Sequence, residues 1–152
     1  MRIRLISSIA LLGTILTVQG CSSGGGSMPA PSDPEGTVRA FMNAVNANSI
    51  YAMGELWGGR RGPARTYMPP EEVERRLTVM RIYLEHEEYE ILPPGAMPAN
   101  EDDQRIVRMQ ITRRGCQPVI PVTLTRFGDG WLVSNVDLAA AGNPARTCQA
   151  PG

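Results

Sequence analysis

Apolar side chains recur at helical spacing from Val38 to Leu84 and at every second position from Tyr89 onward, so the chain divides into a helical half and a strand-rich half. Ser32 or Asp33 offers an oxygen cap to a first helix whose opening turn holds Pro34 and Glu35. Val38, Phe41, Met42 and Val45 form its apolar stripe, and Asn46-Ala47-Asn48-Ser49 interrupts it. A short second helix is predicted from Ile50 to Trp57, with Ile50, Met53, Leu56 and Trp57 at helical spacing and Gly58-Gly59 as its end. Pro69 and Pro70 open a third, in which Val73, Leu77, Met80 and Leu84 make one core-facing stripe. The Glu71–Arg75 and Glu72–Arg76 spacings on its back are surface support worth about 0.3–0.5 kcal/mol each.

Four strands follow. Tyr89 and Ile91 alternate before Pro93-Pro94-Gly95; Val107, Met109 and Ile111 alternate next, then Ile120, Val122 and Leu124, then Trp131 and Val133. Gly128-Asp129-Gly130 joins the last two runs as a hairpin, because glycine tolerates the positive φ of such turns. The fold class expected is therefore α+β: N-terminal helices packed on an antiparallel sheet of about four strands.

Upstream of these elements, Met1-Arg2-Ile3-Arg4 precedes an uncharged run from Leu5 to Val18, the order of a secretory signal. A membrane-crossing helix needs roughly 20 apolar residues, more than this run supplies. Val18-Gln19-Gly20-Cys21 resembles the lipobox of bacterial lipoproteins. That resemblance implies cleavage after Gly20, a diacylglycerol on the Cys21 thiol and an acyl chain such as palmitate on the new amine. Such chains contribute about 0.8 kcal/mol per buried methylene and together anchor firmly. Residues 1–20 are then signal peptide, 21–32 a lipidated cysteine with a Gly/Ser/Pro tether, and 33–152 one domain with a C-terminal tail. In the sorting pattern of diderm bacteria, Ser22 rather than aspartate after the cysteine implies the outer membrane, with the domain facing the periplasm.

The chain carries 15 basic and 15 acidic residues, and loss of Arg2 and Arg4 would leave it nearly neutral. Such a balance lacks the excess of basic charge that nucleic-acid binding uses, and no nucleic-acid partner is expected.

Helices first, then strands ending in Thr123-Leu124-Thr125-Arg126-Phe127-Gly128-Asp129-Gly130-Trp131-Leu132-Val133, resemble the nuclear transport factor 2-like superfamily, which includes ketosteroid isomerase-like enzymes. The resemblance covers Pro34–Leu138 and implies a cone-shaped domain whose apolar mouth is either open to a ligand or filled. A cystatin-like fold is the nearest rival.

Cys116 and Cys148 remain after lipidation, and export places them in an oxidising compartment, so a disulfide is expected to pin the tail beside the Arg113–Gln117 turn. His86, the only histidine, lies in Glu85-His86-Glu87-Glu88-Tyr89-Glu90; on a strand, His86, Glu88 and Glu90 share a face but spread over about 13 Å, too far for one small ion. The run therefore reads as a solvated edge strand. Glu101-Asp102-Asp103 lacks the ligand cadence of a calcium loop, and no metal or cofactor is expected. Arg60, Arg61 and Arg65 make one basic loop that is either solvated or meets phosphate groups near the anchor.

No nucleophile elbow, zinc-protease helix or phosphate-cradling loop is present. Two function classes follow. In the first, the domain is noncatalytic and binds an envelope protein or a small apolar ligand, with Phe41, Trp57, Met80, Trp131 and Val133 as candidate pocket lining and a homodimer through the sheet as an option. The second is a small-molecule isomerase, lyase or hydrolase using Asp137 with Tyr51 or Tyr83. The second class requires a carboxylate buried in the pocket.

Overall fold

A computed structural model describes residues 30–94 and 102–149. The signal peptide, Cys21, most of the tether and Gly95–Glu101 lie outside the described residues.

The helices form where the apolar stripes place them. α1 spans Pro34–Asn46, with Pro34 in its first turn and the Asp33 carboxylate accepting from the Gly36 N–H. α2 spans Ile50–Leu56, capped by the Ser49 hydroxyl, which accepts from Ala52 N–H at 3.2 Å. Its end is followed by a structure that periodicity does not announce: β1 (Gly58–Gly59) pairs with β2 (Gly62–Pro63), and a 3₁₀ turn covers Ala64–Thr66. α3 spans Pro70–Leu84, and of its predicted surface pairs Glu72–Arg76 closes.

β3 (Glu88–Ile91), β4 (Gln104–Thr112), β5 (Val119–Phe127) and β6 (Gly130–Val136) form one antiparallel sheet in the order β3-β4-β5-β6. Phe127 pairs with Gly130 across a two-residue turn in which Gly128 has φ 58°, as the hairpin requires. The β4–β5 corner turns tightly, with Arg114 at φ 49° and Gly115 at φ 75° between the bridged pair Arg113 and Cys116. After β6 a single helical turn, α4 (Leu138–Ala141), is started by Asp137, whose carboxylate accepts from Ala140 N–H at 3.0 Å.

The helices cover one face of the sheet. Val38, Phe41, Met42 and Val45 of α1, Met53 of α2 and Val73, Leu77 and Leu84 of α3 join Met109, Ile111, Ile120, Val122, Leu124, Trp131 and Val133 in a single core. The α+β class expected from the pattern is the class observed. The free edge of β6 is not left open: Val133 bridges Trp57, and Trp131 N–H donates to Pro31 C=O at 3.0 Å. Pro31, assigned to the tether by composition, is thus part of the folded body.

Candidate functional site

The five residues proposed as pocket lining do not share an open wall. Phe41, Trp57, Trp131 and Val133 are buried within the core, and Met80 is half-buried against it. Phe41 is 2% exposed, Trp57 7%, Trp131 5% and Val133 0%, so none of the four presents its side chain to solvent.

The Tyr–Asp pair is not assembled either. Asp137 is exposed and spends one carboxylate oxygen capping α4. Tyr51 is 61% exposed on α2, while Tyr83 belongs to the last turn of α3, about 15 Å along that helix from the Val73 turn that adjoins Tyr51. The buried carboxylate that acid–base chemistry would need is absent from Asp137.

His86 departs from the edge-strand expectation. β3 begins only at Glu88; Glu88 and Glu90 face solvent as predicted, but His86 is 9% exposed. Its Nδ1–H donates to Leu84 C=O at 2.7 Å, and its ring meets Tyr89 edge-on at 5.2 Å. Nε2 has no partner among the described residues. Among those residues no group of three or more His, Cys, Asp or Glu side chains could hold a metal ion.

The three arginines of the basic loop are exposed, and each meets a partner on the protein surface. Arg60 grips Asp103 with two hydrogen bonds, 2.7 Å from Nε and 3.1 Å from a terminal nitrogen. Arg61 stacks 4.0 Å from the Tyr67 ring centroid and Arg65 4.4 Å from that of Tyr51. Arg65 also pairs with Glu55, a carboxylate 8% exposed whose burial is tolerable only with such a partner. Glu55 was not identified from the sequence; its one signal is a lone acid in the apolar run of α2, ten positions before an arginine.

This pair borders an open groove of about 360 Å³ between α2, the 3₁₀ turn and α3, lined mainly by Ile50, Tyr51, Gly54, Arg65, Pro70 and Val73. Its walls are chiefly apolar; Arg65, Tyr51 and the exposed acid Glu74 supply its polar groups. Gly54 makes the floor bare. A Cβ there would meet only Leu77 Cδ1 at 3.5 Å, an ordinary contact, yet a glycine inside a helix costs about 0.5–1 kcal/mol relative to alanine. The fold has no evident need for this glycine, whereas an open groove does. Gly54→Ala is accordingly expected to raise stability by about 0.5–1 kcal/mol, read from the urea midpoint at unchanged m-value.

No family model and no curated protein matches the chain. Among solved structures, a phospholipid-binding protein from Ralstonia solanacearum, determined in complex with a phospholipid, aligns over 70% of this chain and 75% of its own at 10% identity, with a TM-score of 0.39.

Proposed function

We propose that the chain is an envelope lipoprotein, anchored to the outer membrane through acylated Cys21, whose nuclear transport factor 2-like domain is a noncatalytic binding module. Its seat is the groove between α2 and α3, and its ligand a small apolar molecule with a carboxylate or comparable acceptor for Arg65. The observation that carries this reading is Gly54: a helix-interior glycine with room for a Cβ, among the residues that line the groove. The burial of Phe41, Trp57, Trp131 and Val133 supports the same choice, since it favours a ligand at a surface cleft. The catalytic alternative loses its base, because Asp137 is an exposed helix cap.

Native mass spectrometry on the full chain, gently extracted from its own membranes, tests both halves. The acyl mass on Cys21 and a noncovalent small-molecule adduct are expected together. Gly54→Leu is expected to weaken adduct binding about tenfold or more, equivalent to at least about 1.4 kcal/mol, without altering the acyl mass. An adduct that survives Gly54→Leu would remove the groove from consideration. A bare but acylated protein would leave a protein-binding module instead, and an unmodified Cys21 would end the anchoring argument.

A further inference from the structure

We infer that the end of the domain formed by Ala30, the β5–β6 turn and the β1–β2 loop is the surface that rests on the phospholipid headgroups of the bilayer. This inference depends on the anchoring of Cys21 proposed above.

The first support is where the chain enters the fold. Trp131 N–H donates to Pro31 C=O at 3.0 Å, and a Cβ on Gly130 would lie 2.6 Å from Ala30 C=O, so Ala30–Pro31 runs directly against the start of β6. From Cys21 to Ala30 the covalent chain spans at most about 30 Å. An acylated Cys21 therefore holds this end of the domain within about 30 Å of the lipid surface, whatever path the intervening residues take.

The second support is the chemistry displayed there. Phe127 is 41% exposed with the end of its ring laid against Gly62, whose φ of +100° and missing side chain make the seat. Tyr67 is 37% exposed beneath the Arg61 guanidinium. Arg105 and Arg126, both exposed, flank the Trp131 ring at 5.6 and 5.5 Å. Rings that are apolar in body and arginines with long stems suit the headgroup layer, where the guanidinium meets phosphate and the ring reaches the acyl boundary. The acids nearby limit the electrostatic part: Asp103 is bonded to Arg60 and Asp33 caps α1, while Asp102 and Asp129 are exposed. The contact is therefore shallow and orienting, and residence on the membrane comes from the acyl chains.

The third support is the contrast along β4. That strand runs from Gln104, beside Asp103 and Arg60, to Thr112, beside Glu87 and Glu88, so the two ends of the sheet stand about 27 Å apart. At the far end exposed Glu87, Glu88 and Glu90 outnumber the exposed Arg114 and Arg146, and no large ring is exposed there among the described residues, so that end suits phosphate and the acyl boundary less well.

The test reconstitutes the full acylated chain in vesicles of phosphatidylethanolamine and phosphatidylglycerol containing a lipid brominated near the headgroup. Phe127→Trp places a reporter at the near end; Ile82→Trp, at an exposed position on α3, serves as the reference. Loss of the added emission is expected for Phe127→Trp and not for Ile82→Trp. Quenching at Ile82 alone, or at neither site with the acyl mass present, would overturn the orientation while leaving the anchor intact. Absence of the acyl mass, measured on the same samples, would overturn the anchor itself and this inference with it.

Discussion

Replacing Arg113 with methionine is expected to destabilise the domain by about 2–5 kcal/mol, a large share of what a domain of this size possesses. The side chain is 5% exposed and donates to Tyr83 C=O at 2.6 Å and to Ala141 C=O at 3.0 Å. Those carbonyls belong to the last turns of α3 and α4, where no intrahelical donor remains to satisfy them and where the negative ends of the helix dipoles favour a cation. One guanidinium thus completes two helix ends. No carboxylate is bonded to it among the described residues; burial, then the neighbouring Arg114, lowers its pKa from the ordinary arginine value, and Glu85 opposes them. Methionine would keep an apolar stem but, lacking the guanidinium, strand both acceptors, at about 1–3 kcal/mol each. Arg113→Lys keeps the charge but lacks the fork needed to reach both carbonyls, so about half of the loss should persist. Urea unfolding followed by circular dichroism measures both variants. A cost for Arg113→Met under about 1 kcal/mol would mean that water satisfies the two carbonyls once the guanidinium is gone.

The contrast between Arg113 and the elements around it shows where sequence legibility ends. The stripe Val73, Leu77, Leu84 and the alternations of β4 and β5 are local: each residue's role repeats within a few positions, so a period reveals it. Gly128 was legible for the same reason, since a two-residue turn is specified by its own residues. Arg113 takes its partners from 30 and 28 positions away, and Glu55 takes Arg65 across the β1–β2 excursion, so nothing adjacent in sequence marks either as a buried charge. α4 was missed because a single turn is too short to show a period. His86 was misplaced because the alternation was extended two residues past the true start of β3. The candidate site suffered most. The size that makes Phe41, Trp57 and Trp131 candidate pocket lining also drives them into the core. The groove is marked instead by a residue with no side chain, Gly54, whose meaning depends on the α3 residues packed opposite it.

The bridge expected from two exported cysteines is present, Cys116 to Cys148, closing 32 positions with the Cα atoms 4.9 Å apart. Its loss in Cys116→Ser/Cys148→Ser is expected to cost about 3–4 kcal/mol in the chain-entropy model. The structure adds a more specific consequence. The tail after α4 has no helix or strand of its own among the described residues, and it is fixed by the bridge together with Cys148 N–H donating to Arg114 C=O at 3.0 Å. The same β4–β5 corner carries Arg113, which reaches into the turn preceding that tail. If the bridge holds α4 where Ala141 C=O meets the guanidinium, the two devices are coupled and their removals will not add. A double-mutant cycle is then expected to show Arg113→Met costing less in the serine background than in the bridged protein, with a coupling energy of about 0.5–3 kcal/mol. Equal costs in the two backgrounds would show that α4 docks without the bridge, and that the disulfide acts on the unfolded chain alone.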